Sequence, residues 1–401
     1  MLHQSSPVLI CGAGISGLAL AQALLKREIP FRVFERDPAL GFRSQGYRVR
    51  INGDGIAALT DALPPKLFSL LVSSCAYCSA GIRPNAHLNA LNGQDVEMKI
   101  GPPPTLETQP LNADRNVLRQ VLIHGIEDFV QFGKEFSSYT TSDRGVKVRF
   151  MDGSEQEGSL IVGADGAFSR IRQQFLPDFQ LFDTEARWIF GKTIMTKALL
   201  DQFQERALNG MTLVQDRSGP IPLSLLLEPM RFKRDEPNSH VPEDYVYWVL
   251  VSRKDMFDMA DDKLLKLPAD EVANLAKKMT AKWDPSFHAL FTCQDSNRTS
   301  ILRVTTVRPE IPLWEASSRV TLIGDAIHAM SPTSAAGATT ALRDAAFLAR
   351  TLSEGGLNST SICKYEEAMR VYAGAVIQWS AIGGKWLFGM RSFEELSPIP
   401  T

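Results

Sequence analysis

Val8-Leu9-Ile10-Cys11-Gly12-Ala13-Gly14-Ile15-Ser16-Gly17 is the stretch that decides the fold. Four apolar residues read as a buried strand, and the glycines lead into Leu18 to Lys26, whose apolar spacing is helical. Phe31-Arg32-Val33-Phe34-Glu35 reads as the next strand, which completes a βαβ unit of about 30 residues. In such a loop Gly12 allows the tight turn, Gly14 lets the backbone approach phosphates, and Gly17 lets the helix pack on the strand. The helix start offers free N–H groups and a positive dipole end to a pyrophosphate. Glu35 ends the second strand, where a carboxylate can accept hydrogen bonds from ribose hydroxyls, and Arg36 can lie along the adenosine. An acid at that point disfavours a 2′-phosphate, so the dinucleotide is read as FAD or NAD rather than NADP.

The bulk properties narrow the class. The chain has 401 residues, 44% of them hydrophobic, enough for two to three domain-sized units. Its formal net charge of -2, with no basic stripe, argues against nucleic acid as a partner. Five cysteines (Cys11, Cys75, Cys78, Cys293 and Cys363) without a regular framework fit reduced thiols in a cytoplasmic protein. No secretory signal or transmembrane segment is read. Cys75-Ala76-Tyr77-Cys78 has only His87 near it, short of a zinc ligand set, so no metal is expected.

Further along, Asn116 to Phe129 reads as a helix, and Val146 to Phe150 as a strand before an Asp152-Gly153 turn. Pro102-Pro103-Pro104 marks a loop. From Trp188 to Val307 strand-like runs appear at Met211–Val214, Leu223–Leu227, Tyr245–Val251 and Ile301–Val307, with a polar loop from Lys233 to Asp244. Arg319 to Ile323 is a buried strand; Ala338 to Leu352 and Ser361 to Trp379 are helical. The fold class is α/β: a Rossmann-like nucleotide-binding domain assembled from separated segments, an inserted, mostly antiparallel substrate domain, and C-terminal helices. The boundaries are 1-75, 105-185 and 300-352 for the first, 76-104 and 186-299 for the second, and 353-401 for the helices.

Two more segments carry chemistry. Gly163-Ala164-Asp165-Gly166 ends a buried strand, Ser159 to Val162, at a turn where a carboxylate can fix backbone N–H groups. Ala167-Phe168-Ser169-Arg170-Ile171-Arg172 continues that segment. Gly324-Asp325-Ala326-Ile327-His328 is followed by Pro332. With the glycine loop these three segments, in this order, make the chain resemble the class A flavoprotein monooxygenases. This is the para-hydroxybenzoate hydroxylase-like group, and the likeness is greatest to its fungal secondary-metabolism members.

The resemblance implies FAD as cofactor and NADPH or NADH as a transient co-substrate, since only one glycine loop is present. It implies that Asp165 supports cofactor use and that Asp325 hydrogen-bonds hydroxyls of the FAD chain. Pro332 would lie beside the isoalloxazine. The helix beginning near Gly337 and Ala338 would aim its N-terminus at the flavin, stabilising negative charge on the reduced ring. Arg115, in Asn112-Ala113-Asp114-Arg115-Asn116-Val117-Leu118, and Arg48, in Gln45-Gly46-Tyr47-Arg48-Val49-Arg50, match arginine positions that meet FAD. One departure stands out. Ala335 and Thr339 occupy positions where the family carries glycine and asparagine, and Ala336 lies between them. Alanine lacks the positive-φ freedom of glycine, so the geometry beside the ring is expected to change. His328 is read as a structural hydrogen-bonding residue.

The activity implied is that of an FAD-dependent monooxygenase acting with O2 on a small molecule. The oxygen would pass through a flavin C4a-hydroperoxide to an apolar aromatic, polyketide-like or alkaloid substrate. Hydroxylation leads; epoxidation and Baeyer–Villiger insertion share the intermediate. A flavin-dependent reductase or dehydrogenase, or a non-catalytic flavin-binding protein, is the alternative. Arg187, Lys192, Gln215 and Tyr247 are the polar candidates for handling the substrate, without a spacing argument. The purified protein is expected to be yellow or to become so on adding FAD; a colourless protein under both conditions excludes a flavin.

Overall fold

The computed structural model describes residues 6–42, 48–79, 85–96, 108–234 and 241–400. The Pro102–Pro104 loop and the Gln45–Tyr47 run lie outside these residues. So does the middle of the loop expected between Lys233 and Asp244.

The quoted stretch folds as read. Val8–Cys11 is a strand with every residue buried, and Ile15–Lys26 is a helix packed on it. The strand is central to a five-stranded sheet in the order Val320–Leu322, Leu160–Gly163, Val8–Cys11, Phe31–Glu35, Val130–Phe132. All of its pairings are parallel. Four of these strands end in a motif picked out from the sequence: Gly324-Asp325, Gly163–Gly166, Gly12–Gly17 and Glu35. Parallel pairing therefore places segments from distant parts of the chain side by side at one sheet edge, where open α/β sheets bind ligands.

A second, six-stranded sheet runs Ser300–Thr306, Phe182–Ile194, Tyr245–Arg253, Leu223–Met230, Thr212–Asp216, Ala86–Asn89. Its pairings are antiparallel except for the last, which is parallel. Alternation gives it two faces. One carries Ile189, Trp248, Leu225 and Val214 into a core with Phe287 and Phe291. The other carries Trp188, Phe190, Tyr245, Tyr247 and Val249 into a core shared with Leu387 and Phe388 of the last helix.

Two helices differ from expectation. The run read as Asn116 to Phe129 is a helix only over Arg115–Ile123, followed by a 3-10 turn at Glu127–Phe129. Gly125, at φ 81°, breaks it. The C-terminal helix reaches Phe388, past Gly383 and Gly384. Those glycines cost helix propensity but admit close neighbours: a Cβ on Gly383 would lie 3.0 Å from Thr333, and one on Gly384 2.9 Å from the Met390 sulfur. Among the described residues, no helix is long and apolar enough to cross a membrane.

Glu366 is buried on the C-terminal helix, accepting one hydrogen bond from Thr321 Oγ1 at 2.9 Å. Burial raises its pKa to about 7, against the pull of Thr321 and Arg370. A carboxyl whose folded pKa exceeds its unfolded value stabilises the fold below about pH 4.5 and loses that contribution as pH rises through 7. Glu366→Gln removes the ionisation while keeping the acceptor. Urea unfolding should show the variant more stable than wild type at pH 8, by up to about 3 kcal/mol. The difference should close near pH 4.5.

Candidate active site

The glycine loop is held by the strand beside it. Ala164 N donates to Cys11 O at 2.8 Å, and Gly12 N donates to Phe34 O at 2.7 Å. Gly12 sits at φ 116°, and a Cβ there would lie 2.2 Å from Ala164 O; a Cβ on Gly17 would lie 1.9 Å from Gly12 O. No side chain tolerates either contact. Gly14 differs: nothing lies within 4 Å of where its Cβ would be, so its backbone faces open space. Gly14 is also the N-cap of the following helix and caps it with no side chain. Uncapped N–H groups, a dipole end and open space are what a pyrophosphate requires.

A cavity of about 250 Å³ lies in front of this loop. Gly12, Gly14, Glu35, Arg36, Arg115 and Asp165 all line it, so these six expected residues meet in one place. Glu35 accepts from Ala13 N at 2.8 Å and Asp37 N at 3.0 Å. Its two oxygens offer about four acceptor sites, which leaves room for ribose hydroxyls. Asp165 Oδ2 accepts from Arg170 N at 3.0 Å, while Oδ1 is buried without a partner. Burial pushes the Asp165 carboxyl above its ordinary pKa, opposed by hydrogen bonds from Ser169 and nearby backbone N–H groups. Arg119 was not anticipated. It lines the same cavity and its Nε donates to Ala13 O at 3.1 Å. Its spacing of four from Arg115 on one helix was the available signal.

Asp325 is exposed, yet sits in a recess deep enough for desolvation to raise its pKa. His328 and Arg115 pull the other way through their charge. His328 is fully buried, and its Nε2 donates to Asp344 Oδ2 at 2.6 Å. Gly324 N donates to the same oxygen at 2.7 Å, and Tyr372 OH to Oδ1 at 2.6 Å. Burial opposes charge on His328, but the charge and hydrogen bond of Asp344, with Asp325 adding, raise its pKa overall. The imidazole thus braces the Gly324-Asp325 turn. Arg172 adds a second brace, donating to Ala326 O at 2.7 Å.

Pro332 is exposed and opens a 3-10 turn, Pro332–Ser334, whose other residues are half-buried and which is tied to the C-terminal helix through Thr333 and Ser380. Ala335 ends this turn in the left-handed region, at φ 52°. Alanine therefore holds a conformation suited to glycine. Thr339 Oγ1 accepts from Asn52 N at 3.2 Å and so joins two helix starts. The helix Gly337–Gly355 begins without a side-chain cap, leaving its first N–H groups available.

The remaining candidates separate. Arg187 points to the opposite face of its strand from Trp188, Phe190 and Lys192, where it is buried between Asp183 and Asp261. Strand alternation removes it from the face that carries the other polar candidates. Arg48, expected beside FAD, stands 3.0 Å from Glu228 of the second sheet, over the ring of Tyr247, and does not line the cavity in front of the glycine loop. Lys192 donates to Asp114 at 2.6 Å. Gln215 bonds His87 and Ser224. Cys75 ends a helix rather than starting one, and burial pushes its thiol up to about 12, with Cys78 adding to the shift. Among the described residues, no group of three or more His, Cys, Asp or Glu side chains is arranged to hold a metal ion.

Two stability and binding outcomes follow. Gly12→Ala should abolish FAD uptake, measured by flavin fluorescence quenching, because a Cβ would collide with Ala164. The left-handed region costs a non-glycine residue about 1–2 kcal/mol, and glycine returns about 0.4–1 kcal/mol as unfolded-state entropy. Ala335→Gly should therefore stabilise the protein to chemical denaturation by up to about 1 kcal/mol.

Comparison with known proteins agrees with this geometry. Residues 10–69 match the NAD(P)-binding Rossmann-like domain family, and residues 269–380 match the FAD binding domain family. The dual O-methyltransferase/FAD-dependent monooxygenase elcB of Phaeosphaeria nodorum is 40% identical over 97% of this chain and 47% of its own length. The dual O-methyltransferase/FAD-dependent monooxygenase CTB3 of Cercospora beticola is 38% identical over 98% of this chain and 47% of its own. The chain thus spans about half the length of these relatives. A crystal structure from Photorhabdus luminescens, of a candidate FAD-containing monooxygenase, superposes with a TM-score of 0.78. It is 29% identical, over 96% of this chain and 99% of that one. The chain thus carries matches to FAD-binding and NAD(P)-binding Rossmann-like domain families and is similar, over nearly its whole length, to FAD-dependent monooxygenases.

Proposed function

We propose that the chain oxygenates a small, largely apolar hydroxyaromatic or polyketide-type molecule, using NAD(P)H and O2. The observation that carries this reading is the alignment of four motifs at one sheet edge, joined through the Asp114–Lys192 pair to a second sheet, one face of which carries Trp188, Phe190 and Tyr247. Bound FAD supplies the redox and oxygen chemistry.

The chain's own residues do the rest. The Gly14 backbone and the helix start behind it bind the pyrophosphate, and Glu35 takes the ribose. Asp325 accepts from the hydroxyl chain, held in place by the Asp344, His328 and Tyr372 network. Trp188, Phe190 and Val249 present a buried apolar face that excludes water. Such exclusion protects oxygen chemistry from side reactions. The fungal relatives that combine monooxygenase with O-methyltransferase support a substrate bearing a methylatable hydroxyl.

The test is a panel of polyhydroxynaphthalenes and related polyketide aromatics, scored by coupled NAD(P)H oxidation, O2 uptake and product mass. A product heavier by one oxygen atom is expected. Nicotinamide oxidation with a product lacking added oxygen would favour a reductase and overturn the reading.

A further inference from the structure

The C-terminal helix, Ser359–Phe388, has an outer face that the cofactor site does not use. Its inner face is buried through Met369, Ala373, Ile377, Ser380, Gly384 and Leu387. Left exposed along its second half are Val371, Ala375, Gln378, Ile382 and Lys385, with Trp379 and Trp386 beside them. The first five are spaced by four and three residues in turn, the period of a coiled-coil seam, and the two tryptophans flank it on one side.

The seam is wide and apolar. Val371 is 75% exposed, Trp379 67%, Ile382 51% and Trp386 44%. At about 150–250 Å² for a large aromatic side chain, these four and Ala375 leave roughly 450 Å² of apolar surface in one stripe. Contiguous apolar patches on that scale mark interaction sites. Doubled, the stripe supplies about 900 Å², the apolar core of an interface near the lower bound of about 1,200 Å² for stable complexes.

Charge says what covers it. From Ala368 to Phe388 the helix has no acidic residue. Exposed Lys385 stands at one end of the stripe and exposed Glu367 at the other. They are five whole helical turns apart and so lie on the same flank, opposite the tryptophans. A second copy laid antiparallel brings each Lys385 to the partner's Glu367. The same register faces Val371 with the partner's Ile382 and Ala375 with the partner's Gln378, and it lays Trp379 over the partner's Ala375. Large side chains thus meet small ones. A parallel pair would instead set Lys385 on Lys385 and Glu367 on Glu367, and like charges oppose association. A bilayer surface fits less well. Interfacial helices are rich in basic residues beside the apolar face, whereas Lys385 is the one cation exposed between Val371 and Trp386, and Gln378 stands mid-stripe.

We propose that the chain forms a two-fold homodimer through this face, with the two C-terminal helices paired antiparallel. The interface is isologous, so every contact occurs twice. The pairing is independent of the substrate, but it stands directly behind the cofactor site. Thr333 and Ser334 of the Pro332 turn rest on Ser380 of the same helix, and Tyr372 donates from it to Asp344. Each copy therefore braces the helix that holds its partner's Gly324 and Pro332 turns.

The test is sedimentation velocity of the FAD-loaded full chain from about 1 to 100 µM, which brackets the micromolar Kd expected of an interface this size. A monomer–dimer transition should appear in that range. Val371→Lys alone should move it at least about tenfold higher in concentration, and so should Ile382→Glu alone, because each sets an unpaired charge in an apolar seam. Mixed in equal amounts, the two variants should dimerise again. One crossing then pairs the two new opposite charges, and the other keeps Val371 on Ile382. Both positions are exposed, so the fold is spared, and FAD uptake with helical circular dichroism checks it. A chain that stays monomeric throughout, a dimer untouched by either substitution, or a mixture no better than its components would overturn the proposal. A monomer that binds phosphatidylcholine–phosphatidylglycerol vesicles, with binding lost in Ile382→Glu, would assign the stripe to a bilayer and overturn it as well.

Discussion

A methyl group on Gly12 would lie 2.2 Å from the carbonyl oxygen of Ala164, so the turn after Val8–Cys11 and the end of Leu160–Gly163 occupy nearly the same space. The fold accepts this contact because Gly12 has no Cβ and can hold φ at 116°. In return, the glycine loop and the Asp165 turn share one wall of the cavity. Parallel register extends that wall to Glu35 on one side and sets Gly324-Asp325 at the next strand end on the other. Displacing any of these strands by one residue would turn its motif away from the cavity.

The Gly324 turn depends on a buried carboxylate. Asp344 accepts from a backbone N–H, an imidazole and a phenol, three donors from three places in the chain. Such a network is stable only when complete, since a buried carboxylate that loses a partner is heavily penalised. The rigidity it provides contrasts with the strained turn next to it. Ala335 adopts a glycine-like conformation, which shows that neighbouring packing, through Thr333 and Ser334 on Ser380, overrides local preference.

The two sheets meet through charge rather than only through apolar surface. Asp114 caps the helix that carries Arg115 and Arg119 to the cavity in front of the glycine loop, and it also receives Lys192 and Tyr245 from the second sheet. One carboxylate thus fixes both the helix that lines the cavity in front of the glycine loop and the neighbouring face of the second sheet.

The sequence by itself determined the local devices. Strand, glycine loop and helix follow from apolar period and from glycine placement, and Glu35 follows from its position at a strand end. Four of the six strands of the second sheet were equally legible, because β-branched and aromatic residues at period two need a pleated surface, whereas Phe182–Ile194 and Ala86–Asn89 were not read as strands. Helix ends were less so: Gly125 cut one helix short, and Gly383 and Gly384 were carried through another by neighbours distant in sequence. Tertiary structure alone decided which polar residues meet. Arg187 and Lys192 are close in sequence on one strand, yet alternation sends them to opposite faces. Arg48 found Glu228 across 180 residues of chain. No local pattern encodes such pairings, because burial, charge balance and the register of two sheets together select the partner.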